Sequence, residues 1–189
     1  MRKGIILAVA AIALLATSTL NARGAMHYRG ASGVYKQSYV DPTVYELTQE
    51  QIDDLVFMYQ EEKMARDAYI TLGQKWGSTV FLKIQQSEQS HMDAIKALLD
   101  KYSIAIPVDE SAIGSFANEE IQALYDQLME KGALSLQDAL EVGVAIEETD
   151  IADLEEKIEG ATSDLATVYS RLLKGSYNHL NAFNTTLGI

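Results

Sequence analysis

The sequence predicts an all-α protein: a four-helix bundle in which a long crossover, carrying one short extra helix, joins helices two and three. Helix formers dominate after residue 47, and Pro107 is the only proline beyond that point. Two helical hairpins with short breaks are separated by one long connection, a recognised bundle topology. Each of the four long helices has an apolar stripe at steps of three and four, interrupted near mid-length by acids or histidine.

The first 47 residues stand apart. Arg2 and Lys3 precede an unbroken apolar run from Ile5 to Leu15, and small residues follow at Ala16, Ser18, Ala22 and Ala25. This is the grammar of a secretory signal peptide over residues 1–25, and 11 apolar residues fall well short of the roughly 20 that span a bilayer. An uncleaved amino-terminal anchor is the alternative. The expected location is periplasmic or secreted. Residues 26–47, rich in Tyr, Gly and Ser, show no helical period and are expected to form a flexible arm.

The bundle is expected over residues 48–189. Helix one starts at Thr48, where Thr48 and Gln51 have capping-box spacing, and ends near Gly73. Helix two follows the Gly77-Ser78-Thr79 turn and runs to about Tyr102. The crossover holds Pro107, Gly114 and a short helix from Asn118 to Lys131. Helix three starts at the cap Ser135 and ends near Gly160, and helix four runs from Thr162 or Ser163 to the carboxyl end.

The core stripes carry the chemical signal. Helix two reads Phe81, Ile84, Glu88, His91, Ile95, Leu98, Tyr102, so Glu88 and His91 lie one turn apart on an apolar face. Helix one places Glu62 between Tyr59 and Tyr69, with Glu61 about 100° off the stripe. Helix three places Glu147 between Gly143 and Ile151, with Asp150 one turn on and Glu148 off the stripe. Helix four carries Ser176 and His179 between Leu172 and Phe183. Measured from the expected turns at about 1.5 Å per residue, each hairpin brings its polar residues to one level within about a turn. One buried Glu or His is usually a hydrogen-bonded core residue. Unpaired carboxylates cost several kcal/mol each in an apolar interior, and four stripes failing at matching heights point to divalent cations. Arg66 is placed to pair with one acid, whereas Lys63 points elsewhere.

Several classes are disfavoured. The net charge is −12, and it becomes −15 without residues 1–25, which hold three cations and no acids. That surface repels nucleic acid and anionic membranes. Cysteine is absent, which excludes disulfides, thiolate ligands and a lipoprotein anchor. No Gly-rich phosphate loop or nucleophile elbow occurs. His27 lies in the arm.

The arrangement resembles the ferritin-like di-iron carboxylate proteins, in which two helices each give a Glu and two give Glu-x-x-His. Glu62, the complete Glu88-x-x-His91 and Glu147 match. More closely, the segments Glu61-Glu62-Lys63-Met64-Ala65-Arg66-Asp67, Ser87-Glu88-x-x-His91, Ile146-Glu147-Glu148-x-Asp150-Ile151 and Gly175-Ser176-x-Asn178-His179 are similar to an exported ferritin-like family known as a domain of unknown function. The departure is Ser176, where the general pattern has glutamate. Asp150 is expected to replace it as a ligand or through a water; the alternative is a hydrogen bond to a ligand. The resemblance implies two iron ions, with Mn or Zn compatible with the same donors, bound by Glu62, Glu88, His91, Glu147, Asp150 and His179. It implies an oxidoreductase reacting with oxygen or peroxide. Tyr69, two turns past Glu62, is the candidate catalytic residue, as hydrogen-bond donor to a ligand or electron relay; the alternative is core packing, the commoner role of a Tyr on such a stripe. The alternatives are a non-catalytic protein buffering iron, zinc or copper, and a metal-free helical interaction module. Oligomeric state is open, with a homodimer among the options.

Overall fold

A computed structural model describes residues 45–189, so the expected signal peptide, His27 and nearly all of the arm lie outside the described residues. Among those described there are five helices and no strand: α1 (Gln49–Trp76), α2 (Thr79–Lys101), α3 (Glu119–Gly132), α4 (Leu136–Glu159) and α5 (Ser163–Leu187). None is long and apolar enough to cross a membrane. The starts follow the capping chemistry of the sequence. Thr48 and Gln51 form the reciprocal capping box, Asn118 accepts from Glu120 N and Ile121 N, and Ser135 accepts from Asp138 N.

One boundary differs. Helix α1 does not stop at Gly73 but continues to Trp76, and Gly77 in the left-handed region closes it (φ 65°). Gly73 serves packing instead, because a Cβ there would lie 3.2 Å from Phe81 Cβ and from Leu82 Cδ2. The extra turn lets Trp76 Nε1 donate to Gly132 O at 2.9 Å, which ties α1 to the end of α3. Close approach at Gly73 sets the register of the hairpin. Glu62 lies 15 residues before Gly77 and His91 lies 14 after it, so the two meet at one level.

Helices α1 and α2 pack as one hairpin and α4 and α5 as the other, with α2 against α5 and α1 against α4. The interior consists of two apolar clusters. One gathers Tyr69, Leu72, Phe81, Ile146 and Phe183, with Ile121, Tyr125 and Leu128 of α3. The other gathers Leu55, Tyr59, Met92, Ile95, Leu154, Tyr169 and Leu172. The polar residues of the four stripes lie between them in sequence on every long helix.

The crossover is fastened to α1 by a buried ionic cluster. Lys63 is fully buried and its Nζ donates to Asp67 Oδ2 (2.6 Å), Ala112 O (2.7 Å) and Ser115 O (3.3 Å). Arg66 donates to Asp67 Oδ1 at 2.8 Å, to Glu110 O at 2.7 Å and to Gln89 Oε1 at 2.6 Å. Gly114 N donates to Asp67 Oδ2, and Gln60 Oε1 accepts from Ala117 N and Asn118 N. Asp67 therefore pairs with both buried cations of α1, Lys63 and Arg66. Replacing it by asparagine leaves a buried ammonium and guanidinium short of one negative charge. A loss of about 3–5 kcal/mol is expected in urea unfolding of Asp67→Asn; an unchanged midpoint would show that the cluster contributes nothing to stability.

Candidate metal centre

Three acids and two histidines meet in the polar layer. Glu62 of α1, Glu88 and His91 of α2, Glu147 of α4 and His179 of α5 are each no more than 8 % exposed. Their donor atoms form two triads, Glu62–Glu88–His91 and Glu88–Glu147–His179, and in each triad the ligand atoms lie within 4.8 Å of one another. Glu88 belongs to both. Its Oε2 lies 2.9 Å from His91 Nδ1, and its Oε1 lies 2.9 Å from His179 Nδ1. Glu62 Oε2 is 3.2 Å from His91 Nδ1, and Glu147 Oε2 is 3.4 Å from His179 Nδ1.

These separations are those of ion pairs, and one of them, His91 Nδ1 to Glu62 Oε2, is also a hydrogen bond at 3.2 Å. Glu88 Oε1 and His179 Nδ1 are both buried without a hydrogen-bond partner, as is Glu62 Oε1. Buried acceptors left without partners, beside carboxylates and imidazoles that converge on common points, fit a shared cation. The donor set, carboxylate oxygen plus imidazole, suits Fe, Mn or Zn. The nearest buried cations do not compensate it, because Lys63 and Arg66 are engaged by Asp67 and the crossover.

Other side chains orient the set. Tyr69 Oη donates to Glu147 Oε1 at 2.6 Å, with Gly143 O at 3.4 Å, and its ring packs between Phe81 and Phe183. His179 Nε2 lies 2.8 Å from Ser87 Oγ. Gly175 leaves room for the other imidazole, since a Cβ there would lie 2.5 Å from His91 Nε2. The imidazole rings stack with centroids 5.4 Å apart.

Asp150 falls outside both triads. Its Oδ2 is 2.5 Å from Ser176 Oγ, which also lies 3.1 Å from Leu172 O, and its Oδ1 is buried without a partner. The Ser176 hydroxyl has one proton for these two acceptors. A protonated Asp150 donating to Ser176 would free that proton for Leu172 O, while Asp150 Oδ1 would still lack a partner. Sequence reasoning missed Glu61. It is 4 % exposed rather than off the packed face, with Oε2 lacking a partner. The single-stripe assumption fails for α1, which is buried on all sides from Met58 to Tyr69 by α2, α3, α4 and the crossover.

Charge follows burial. Desolvation pushes the Glu62 carboxyl up to about 7 against the pull of His91, and it pushes Glu147 up to about 8 with help from Glu88. For Glu88 burial acts the same way, but hydrogen bonding with His179 and His91 outweighs it and holds the group down at about 2. Burial lowers both imidazoles, yet their carboxylate neighbours prevail, led by Glu62 at His91, which reaches about 11, and by Glu147 at His179, which reaches about 10. Burial first, then neighbouring acids, raises Glu61 and Asp150 well above the usual carboxylate range.

Without metal, protons take the cations' place, and this sets a pH dependence. Glu62 and Glu147 titrate near 4.5 when exposed but keep their protons to about 7 and 8 in the fold. Both imidazoles lose theirs near 6.5 when exposed and far higher in the fold. Between pH 5 and 8 the native state thus binds more protons than the unfolded chain, and stability falls as pH rises. The depressed Glu88 acts only below about 4.5 and lies outside this window. The melting temperature in a strong chelator is expected to drop from pH 5 to pH 8. A flat or rising profile would contradict this protonation scheme.

Comparison with known proteins fits the geometry. At 49 % identity over 138 residues, covering 72 % of this chain and 75 % of the relative, the chain resembles the uncharacterised protein MJ0754 of Methanocaldococcus jannaschii. The crystal structure of that hypothetical protein superposes with a TM-score of 0.75 at 46 % identity, over 77 % of this chain and 83 % of the other. A DUF305 fragment from Deinococcus radiodurans shares the fold alone, at 15 % identity and a TM-score of 0.56, over 75 % of this chain and 97 % of that one. A family model described as an uncharacterised protein domain, DUF2202, matches residues 51–188, which contain every residue of the centre, and the chain belongs to that family.

Proposed function

We propose that this chain is an exported, ferritin-like di-metal carboxylate protein that holds two iron ions and reduces oxygen or peroxide. The observation that carries this reading is Glu88. Each of its oxygens lies 2.9 Å from a different imidazole Nδ1, in a layer that neither Lys63 nor Arg66 reaches. One carboxylate shared by two triads is the arrangement that a bridging ligand between two ions requires.

Glu62 and His91 would hold one ion and Glu147 and His179 the other, with Glu88 available to each. Three glutamates carry −3 against the +4 of two divalent ions, and an ionised Asp150 brings the balance to neutrality in a dry interior. Asp150 acts across a water or directly, and Ser176 positions it at 2.5 Å. Because Ser176 stands where the related pattern has a glutamate, a coordination position stays free for a small exogenous molecule. Tyr69 fixes Glu147 through its 2.6 Å bond and is the oxidisable side chain nearest the centre. Two ferrous ions supply two electrons, enough with two protons to reduce one peroxide to two waters. Export rests on the apolar run from Ile5 to Leu15 and the basic residues before it.

Anaerobic ferrous loading of the chain from residue 26 onward is expected to give about two irons per chain by mass spectrometry. Glu88→Ala should lose both and His91→Ala one. Consumption of oxygen or peroxide by the loaded protein should follow, at a lower rate in Tyr69→Phe. Stoichiometric metal without turnover would leave a buffering or delivery protein. No metal under any loading would sink the proposal.

A further inference from the structure

The two triads share Glu88 but are not supported alike. In the Glu147–His179 half, both terminal ligands are held from outside. Tyr69 Oη donates to Glu147 Oε1 at 2.6 Å, and that ring is itself wedged against Phe81 and Phe183, with centroids 6.0 and 5.2 Å away. His179 Nε2 donates to Ser87 Oγ at 2.8 Å, which leaves Nδ1 facing the carboxylates. In the Glu62–His91 half the hydrogen bond runs between the two ligands themselves, His91 Nδ1 to Glu62 Oε2 at 3.2 Å, and not to a residue outside the pair. Glu62 Oε1 is buried with no hydrogen-bond partner. His91 Nε2 faces the backbone of Gly175, where a Cβ would lie 2.5 Å away, and not a hydrogen-bonding side chain as His179 Nε2 does.

We infer that the centre is asymmetric, with a tightly held ion between Glu147 and His179, and a weakly held, exchangeable one between Glu62 and His91. The inference rests on the di-metal reading above and extends it to the order and strength of filling. A ligand locked in the coordinating orientation gives up little freedom when the ion arrives, whereas a carboxylate and imidazole held only by each other must exchange that bond for the ion. Removing a hydrogen bond that orients a metal ligand weakens binding by roughly 10–100-fold. Two such bonds on one side and none on the other therefore separate the two steps widely. Ser87 and Tyr69 are positioning residues of the tight half.

Cobalt(II) titration tests this without any turnover, by calorimetry together with the visible absorption of the bound ion. The native protein should bind two ions per chain in two steps separated by about tenfold or more in affinity. Ser87→Ala and Tyr69→Phe should each weaken the first step by roughly 10–100-fold and leave the second in place. His91→Ala should retain one tight ion, and His179→Ala one weak ion. Two steps of equal affinity, or a tight step that survives in His179→Ala and vanishes in His91→Ala, would overturn the asymmetry while leaving a two-metal protein. Absence of any bound cobalt from a folded native protein would overturn the di-metal reading and this inference with it.

Discussion

The constraint on which the structure turns is the negative charge of Glu88 in a water-poor layer between two apolar clusters. An ionised carboxylate there needs compensation, and the chain offers it only two imidazoles, each of which leans on a further glutamate. The group cannot be relieved by the lysine and arginine of α1, because Asp67 and the crossover carbonyls hold both. The molecule thus sorts its buried charges into two sets. One is closed, with two cations held by Asp67, by crossover carbonyls and by Gln89. The other is open, with acids in excess and acceptor atoms left over. A closed set fixes structure, and an open one fits a ligand that brings positive charge.

The two sets depend on each other through α1. The segment from Glu61 to Asp67 turns Glu62 inward to the centre, and Lys63, Arg66 and Asp67 toward the crossover. A helix buried all round has no solvent face on which to place its charges, so each must find a partner inside. Fastening the crossover covers α1 and keeps water from the layer behind it. The same burial that raises Glu62 and Glu147 is maintained by residues that never touch the centre.

Much of this was legible in the sequence because periodicity reports faces. Glu88 and His91 interrupt an otherwise apolar stripe on α2, and α5 places His179 on the stripe that also carries Leu172 and Phe183. Caps at Thr48, Asn118 and Ser135 marked the helix starts through side-chain chemistry that needs no tertiary knowledge. What stayed hidden depends on neighbours. Gly73 reads as a helix stop, and only the approach of Phe81 and Leu82 makes it a packing residue. Glu61 reads as solvent-facing until α4 covers it. Ser87 lies one residue off the stripe, and nothing in its own segment reveals that a histidine 92 positions away will reach it.

The same reasoning bears on Asp150, the residue on which sequence and structure give the least direct answer. Helix spacing puts it one turn from Glu147, facing the core, and the structure buries it there. Yet its contact is to Ser176 and not to an imidazole. In the protonated, metal-free state that contact is what an acid without a cation must seek. Burial raises the cost of its ionisation, and Glu62 and Glu88 raise it further. Two divalent ions would reverse the sign of that field, because their combined charge exceeds that of the three glutamates. Asp150 would then ionise, and Ser176 would turn its proton from Leu172 O to the carboxylate. The serine that replaces a ligand thus serves either state of the acid beside it, with the same two partners in both.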